Sequence, residues 1–470
     1  MPEQPDEIVP LRHNRAFRWL LGGSSLSMFG SRLTTIAYPL LILALHGSPA
    51  VAGLAVFAAN APSVLVYIPA GALVDRSADP RRTLILAEAV RGAAIAVIVG
   101  ILLLHWASIP LIILMAIVEE SFEVFANLAE RRYVRFLVKP GQVSAAQVSI
   151  EARTHVVVLA GRALGGLLFG MAQVLPFLAD LTSFVVSVAS LRSIKRWQER
   201  PPAPRQTAKP DLWGEVTDGL HELFKDVSAR NASLLSASMT LISQALIIVF
   251  IAAAHSQHVS SALIGAVLAA SGFGGLLGAL ISQRVLRPVN LSQLKFQPFI
   301  WICMLVVLGI SGGLQVPAMA LVMMALGTAG AMGNVAIDTY ILVVVPDKRI
   351  ARVTSIEMLL DFAACALGPA LGGLLMELSN TSDAIWWLVG LTTVIAVITL
   401  VGPRVKILAC PWPVRRRASA GEPHESASPV PAPANARTEP CAGGQVVSGR
   451  LPSAHRRRAL VRASASGGDG

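Results

Sequence analysis

Long apolar runs, separated by short polar breaks, constrain this 470-residue chain more than any other feature of its sequence. A helix that crosses a bilayer needs roughly 20 consecutive, mostly apolar residues. The first run is longer than the apolar core of a signal peptide, and no small-residue cleavage site follows it. We therefore predict an all-α polytopic membrane protein with twelve transmembrane helices, numbered here as spans 1 to 12: residues 17–45, 51–74, 83–104, 109–129, 147–172, 174–192, 233–254, 260–283, 296–314, 317–344, 353–378 and 384–403.

The charged residues exclude a large soluble protein and argue against a nucleic-acid binder. Charged side chains make up 14% of the chain, whereas soluble domains carry about 25%. The net charge is +11, but the basic residues form short clusters between apolar runs instead of lining one face. Such clusters are typical of loops that face anionic lipid. We therefore expect the lipid bilayer as a partner, and no nucleic acid.

The distribution of Lys and Arg tests the number of spans independently. Positive charges in short loops stay on the cytoplasmic side of a membrane. The turns on one predicted side contain no Lys or Arg, and they comprise residues 46–49, 105–108, 173–176, 255–259, 312–317 and 378–383. The loops on the other side hold the basic clusters. This pattern predicts a multi-pass protein of the cell (inner) membrane with both termini in the cytoplasm.

The spans divide the chain into five predicted regions. These are a cytoplasmic N-terminus (1–16), an N-terminal six-helix bundle (17–192), a central cytoplasmic loop (193–232), a C-terminal six-helix bundle (233–403) and a basic tail (404–470). Residues 211–231 of the central loop form an amphipathic segment that suits the inner membrane surface. The tail is rich in Pro, Ala, Ser and Arg and lacks apolar periodicity, so we predict that it is disordered.

Two short motifs recur at a common offset. The sequence Gly-Ala-Leu at 71–73 returns 207 residues later at 278–280, in the corresponding span of the other bundle. Residues 161 and 163–168, Gly and then Ala-Leu-Gly-Gly-Leu-Leu, return at 368 and 370–375 with the same offset. A shared offset indicates a duplicated six-helix unit, which many secondary transporters contain.

With these motifs the chain resembles the major facilitator superfamily, and within it the drug-efflux branch of twelve-span exporters that includes macrolide exporters. The resemblance covers residues 12–403. It includes a loop signature after span 2, in which Gly71 is followed by Asp75, Arg76, Arg81 and Arg82. In that family the loop acts as a conformational latch. The alternative is a solvated basic loop that only sets the topology.

The exporter-associated glycine motif of the family occurs twice. In span 5 it reads Gly161-Arg162-Ala-Leu-Gly165-Gly166, with arginine in place of the family's proline. In span 11 the motif keeps the proline and comprises Gly368, Pro369, Gly372 and Gly373. Small residues four apart let helices approach closely. In the resembled exporters span 5 packs on span 8, and span 11 packs on span 2. A span 4 arginine of the family is missing here.

Charged residues inside spans are the candidate transport residues: Arg32, Glu119, Glu120, Glu123, Arg162, Asp338 and Asp361. Each costs about 2.5–3.5 kcal/mol at a helix centre, so an unpaired one indicates function. The resemblance places spans 1, 4, 7 and 10 around a central cavity. Glu119 and Glu123 share a helix face. Two carboxylates in a low-dielectric cavity do not both ionise easily, so one of them holds its proton more readily, and a proton-coupling carboxylate needs this property. The alternative is that Glu119 or Glu120 only neutralises Arg162. We also expect Glu88 and Arg91 to pair.

These observations favour a secondary transporter that exports a hydrophobic or weakly cationic small molecule by proton antiport with alternating access. The alternative is an uncoupled facilitator or importer of the same fold. The chain contains no Gly-Lys dipeptide and hence no Walker A loop, so it does not drive transport with ATP by itself. We expect no enzymatic activity, no metal and no cofactor, the proton gradient as energy source, and a monomer.

Overall fold

A computed structural model describes residues 13–77, 79–138, 142–194, 227–285, 297–311, 316–344 and 347–401. All the regular structure in these ranges is helical. The helices fall into twelve segments that match the predicted spans in order: Arg15–Ala44 (span 1), Pro49–Leu65 with Tyr67–Arg76 (span 2), Pro80–Leu103 (span 3), Ile109–Leu137 (span 4), Val143–Met171 (span 5), Leu175–Ser193 (span 6), Val227–Ser256 (span 7), Ser261–Val285 (span 8), Gln297–Ile310 (span 9), Val316–Val344 (span 10), Asp347–Leu378 (span 11) and Thr381–Val401 (span 12).

Length and composition allow most of these segments to cross a membrane. Eight helices in the described ranges are both long and apolar enough, and shorter apolar stretches occur at Pro49–Leu65, Val156–Met171 and Gln297–Ile310. Span 4 is the exception, because Glu119, Glu120 and Glu123 interrupt its apolar sequence. Glu119 and Glu123 meet arginines inside the protein, as shown below.

Local sequence explains where several helices begin and break. The side chain of Asn14 accepts a hydrogen bond from the Phe17 backbone N–H at 3.0 Å and caps span 1, and Asp79 caps span 3 in the same way through Arg82 N–H at 3.1 Å. Span 2 is interrupted at Val66, because Pro69 has no N–H to donate to the carbonyl four residues earlier.

Each half of the protein repeats one set of helix neighbours. Span 1 packs on spans 5 and 6, and span 7 packs correspondingly on spans 11 and 12. Span 3 packs on spans 4 and 6, as span 9 packs on spans 10 and 12. The larger contacts between the halves are span 5 with span 8 and span 11 with span 2. This is the arrangement expected from the duplicated sequence and from the family resemblance.

The glycines of each repeated motif make two kinds of contact, one with a helix of the same half and one with a helix of the other half. Gly161 and Gly165 face Arg32 and Leu33 of span 1, within the same half. The third glycine, Gly166, faces the other half, where a Cβ built on it would lie 2.7 Å from the Cα of Gly265 in span 8. The pair of glycines four residues apart in span 5 therefore serves packing inside the half, and only Gly166 of the motif allows the close approach of spans 5 and 8.

Span 11 repeats this division. Gly368 and Gly372 face span 7 of their own half, and a Cβ on Gly373 would lie 3.0 Å from the Cα of Gly53 in span 2. Both inter-half glycine contacts lie within two turns of the helix ends that connect through turns without Lys or Arg. We call this the arginine-free end of the bundle, and the opposite end the arginine-rich end.

Several predictions concern residues that lie outside the described ranges, or residues whose side chains are not described. They are the tail (404–470), most of the central loop and of its amphipathic segment, and residues 1–12 of the N-terminus. The side chains of Asp75 and Asp338 also lie outside the described part of the chain.

Candidate functional site

A cavity of about 330 Å³ lies between the two halves. This volume is within the range of small-molecule sites in proteins. Spans 1, 2, 4 and 5 of the N-terminal half and spans 7, 8 and 11 of the C-terminal half line it. The inter-half glycine contacts lie toward the arginine-free end. On the other side, the rings of Tyr67 and Phe362 meet across the halves with their centroids 5.4 Å apart.

Arg91 of span 3 is the centre of a charge cluster beside this cavity. Its buried guanidinium donates to Glu119 at 2.9 Å and to Glu123 at 3.0 Å, and it also donates to the hydroxyl of Ser31 at 2.7 Å. Its contact with Glu88, the partner expected from the sequence, is longer at 3.5 Å. Glu119 and Glu123 of span 4 are thus both held by a cation on the neighbouring helix.

The cluster extends from span 3 to span 1. Arg32 forms an ion pair with Glu123 at 3.2 Å, so Glu123 bridges two arginines. Glu119 is 1% exposed and also accepts a hydrogen bond from the Tyr38 hydroxyl at 3.4 Å. The structure therefore places Arg32, Glu120 and Glu123 on one cavity, whereas Glu119 is buried behind it and the side chain of Asp338 lies outside the described part of the chain. The alternative in which Glu119 neutralises Arg162 is wrong, since Glu119 binds Arg91.

The sequence-based prediction does not include two residues of this region, Arg91 and Asp180. The sequence pattern pairs Arg91 with Glu88 alone and gives no role to Asp180 of span 6, although Asp180 is a carboxylate inside a predicted span. Asp180 is fully buried and accepts hydrogen bonds from the hydroxyls of Thr34 at 3.4 Å and Ser183 at 3.3 Å. Arg91 and Asp180 are both charged residues inside predicted spans, and this signal in the sequence identifies them.

The N-terminal half contains more carboxyl groups here than cations to pair with them. The described carboxyl groups are Glu88, Glu119, Glu120, Glu123 and Asp180, and the described cations are Arg32, Arg91 and Arg162. An uncompensated buried charge costs several kcal/mol. The uptake of a proton would relieve this imbalance.

Glu120 and Glu123 both line the cavity, and Glu120 differs from Glu123 because no arginine pairs with it in the described part of the chain. The described ion pairs include Glu119 and Glu123 but not Glu120. Arg162 also faces the cavity, from span 5, and its guanidinium donates to the hydroxyl of Ser271 in span 8 at 2.9 Å. The alternative in which Glu120 neutralises Arg162 is therefore also wrong, because no ion pair within 4.0 Å joins them in the described part of the chain.

At the arginine-rich end, the loop after span 2 makes its described contacts within one half. Arg81 donates to the carbonyls of Leu191 at 2.9 Å and Arg192 at 3.0 Å, in the last turn of span 6. A cation there complements the negative end of the helix dipole. Arg82 pairs with Asp79 at 3.2 Å, and nothing lies within 4 Å of a Cβ built on Gly71. The role of Gly71, Asp75, Arg76, Arg81 and Arg82 as a switching latch stays a prediction.

A second buried ion pair joins three spans closer to the arginine-rich end. Arg153 of span 5 donates to Glu130 of span 4 at 2.9 Å and 3.2 Å. The hydroxyl of Ser24 in span 1 contacts both partners, at 2.5 Å from Arg153 and 2.7 Å from Glu130. This cluster holds spans 1, 4 and 5 together and lies apart from the cavity lining.

Comparison with known proteins agrees with this architecture. The model of the Major Facilitator Superfamily matches residues 20–314 of the chain. The multidrug efflux pump Tap of Mycobacterium tuberculosis (strain ATCC 25618 / H37Rv) is 23% identical over 287 residues, which cover 58% of this chain and 67% of Tap.

Solved structures show the same fold at low sequence identity. The nucleoside transporter NupG superposes with a TM-score of 0.63 at 14% identity, over 82% of this chain and 98% of NupG. A bacterial homologue of the iron transporter ferroportin, in an inward-facing state, gives a TM-score of 0.64 at 15% identity, over 84% of this chain and 99% of the homologue.

Proposed function

The chain belongs to the major facilitator superfamily of membrane transporters, and on this premise we propose that it exports a hydrophobic or amphipathic small molecule in exchange for protons. The arginine-rich end would face the cytoplasm, since positive loops stay inside. The cell membrane, a monomeric state and the proton gradient as energy source are parts of the same proposal. The efflux function of Tap supports the direction of transport.

The position of Glu120 carries the proposal of proton coupling. Glu119 and Glu123 are held by arginines, whereas Glu120 lies on the cavity wall outside the described ion pairs. A weakly cationic substrate and a proton would therefore compete for the same carboxylate. Because linkage is reciprocal, a substrate that binds more weakly to the protonated site also displaces the proton. Alternating access of this site to the two sides would convert the competition into exchange.

The proposal is tested by dye efflux from cells that express the protein. Cells are loaded with a lipophilic amine dye, and the efflux rate is measured with and without an uncoupler of the proton gradient. We expect the uncoupler to slow efflux by the wild type and by the control variant Asp383→Asn, whose carboxylate is exposed outside the cavity. Glu120→Gln should give slow efflux that the uncoupler no longer changes, with a normal amount of protein in the membrane.

Two results would count against the proposal. Wild-type efflux that the uncoupler does not affect would favour the alternative, an uncoupled facilitator or importer. Efflux by Glu120→Gln that stays fast and uncoupler-sensitive would exclude Glu120 as the coupling carboxylate, and Glu119→Gln and Glu123→Gln would then be compared in the same assay.

A further inference from the structure

Arg162 is a membrane-embedded cation without a described acidic partner. Its guanidinium donates a hydrogen bond to the neutral hydroxyl of Ser271 at 2.9 Å. A guanidinium carries five N–H donors, so Ser271 uses only part of its capacity. Within the described ranges, no carboxylate oxygen lies within 4.0 Å of this guanidinium. Arg162 also lines the cavity, from which a ligand could reach its remaining donors.

The surroundings of Arg162 do not compensate its charge. Gly161, the preceding residue, packs directly on Arg32 of span 1, which brings a second cation to this part of the wall. Arg32 is itself paired with Glu123 at 3.2 Å. A cation at a helix centre without a partner is energetically costly. An acidic group that enters through the cavity would supply the partner that the described protein side chains do not.

Glu120 supplies the opposite charge on the same cavity. Glu120 is 11 residues from the arginine-free end of its helix, and Arg162 is 9 residues from the same end of its own. With a rise of 1.5 Å per residue, the two lie about 16 Å and about 14 Å from that end, at similar depth. The lining of the cavity is mainly apolar, and it includes Tyr38, Ile112 and Phe362.

We propose that the transported molecule is amphoteric, with an acidic group that binds the guanidinium of Arg162 and an amine that binds Glu120. An apolar ring system would separate the two groups. This inference rests on the proposed function insofar as the cavity is the substrate site. Ser271 positions that guanidinium, because its hydroxyl accepts from Arg162 and donates to the Leu268 carbonyl at 2.7 Å. Arg162 belongs to the N-terminal half and Ser271 to the C-terminal half, so the guanidinium that would bind the anion is held across the span 5 and span 8 interface.

The test uses two dyes that differ by one methyl group. One is an amino-substituted xanthene dye with a free benzoate, and the other is the methyl ester of the same dye, which keeps the cation and loses the anion. Their binding to the detergent-solubilised, full-length protein is measured by fluorescence anisotropy at equilibrium, without a proton gradient. Because a charge-assisted hydrogen bond is worth about 1.5–3 kcal/mol, the wild type should bind the free acid about ten- to hundredfold more tightly than the ester.

The variants locate this preference. Arg162→Gln should weaken binding of the free acid about ten- to hundredfold and change binding of the ester less than about threefold, so that the preference disappears. Ser271→Ala should reduce the preference in the same direction by a smaller factor. Arg135→Gln, a matched control in the exposed last turn of span 4, should change neither affinity.

The affinities of the wild type for the two dyes test the proposal even if Arg162→Gln does not fold. Equal or tighter binding of the ester, or no binding of either dye, would overturn the proposal. So would an Arg162→Gln variant that loses affinity for both dyes equally. If the wild type prefers the acid but efflux is insensitive to an uncoupler, the anion subsite stands and proton antiport fails.

Discussion

Replacement of Arg91 by leucine tests the charge cluster most directly. Arg91 is 3% exposed, and its guanidinium holds Glu119 and Glu123 at 2.9 and 3.0 Å and lies 4.8 Å above the ring of Phe184. Removing one partner of a buried pair costs about 3–5 kcal/mol, because a charge remains buried without compensation. For a bundle of about 180 residues, 1 kcal/mol shifts Tm by about 2–4 °C. Arg91→Leu should therefore lower Tm by about 6–20 °C.

The double variant separates the loss of charge balance from the loss of packing. Glu119→Gln in the Arg91→Leu background removes the carboxylate that Arg91 compensated, while Glu123 keeps Arg32 as a partner. We expect the double variant to regain about 1–3 kcal/mol relative to Arg91→Leu, as coupled neighbours do. Thermal unfolding in detergent of the wild type, Arg91→Leu, Glu119→Gln and the double variant gives the four values of this double-mutant cycle. A single-variant loss below about 1 kcal/mol, or strictly additive effects, would refute the reasoning.

Two further predictions concern packing between spans. Gly373→Val would bring a side chain against the backbone of span 2, so efflux should fall and the free energy of unfolding should drop by about 1–3 kcal/mol. The control Gly390→Val, where a Cβ meets nothing within 4 Å, should stay within about 0.5 kcal/mol of wild type. Similar values for the two variants in unfolding assays would contradict the inter-half contact. Arg153→Leu should destabilise by about 3–5 kcal/mol because Glu130 stays buried and unpaired, and Glu130→Gln in the same chain should partly restore Tm; no rescue would show that the ion pair is not the cause.

The sequence was sufficient for the number, order and pairing of the spans. Apolar length defines each helix, the absence of Lys and Arg from alternate turns defines the two ends, and the 207-residue offset defines the two halves. These signals are strong because lipid imposes them on every residue of a span. The same signals place Glu119, Glu120 and Glu123 in span 4 and thereby identify the acidic part of the site.

The pairing of charges could not be predicted, because it depends on the rotation of each helix about its own axis. Arg91 and Glu88 are three residues apart and therefore close in any helix. The orientation of span 3 nevertheless directs the guanidinium to span 4, where it binds Glu119 and Glu123 more closely than Glu88. Arg162 similarly meets Ser271 across the halves, which no pattern within span 5 indicates.

The glycine motif shows the same limit at the level of packing. Its spacing indicates close helix contact, but the sequence does not say which glycine meets which helix. The structure assigns Gly161 and Gly165 to span 1 and Gly166 to span 8. Adjacent residues on a helix point in directions about 100° apart, so one motif serves two neighbours at once.

Proton movement in vesicles tests the central claim, exchange of a substrate for protons through the cavity. The purified protein is reconstituted into liposomes that contain a pH-sensitive dye, and an amphipathic amine is added on one side without any imposed gradient. Substrate movement through the wild type should drive protons in the opposite direction, and Glu120→Gln should show no proton movement. Substrate transport by the wild type without any accompanying change in internal pH would contradict the account.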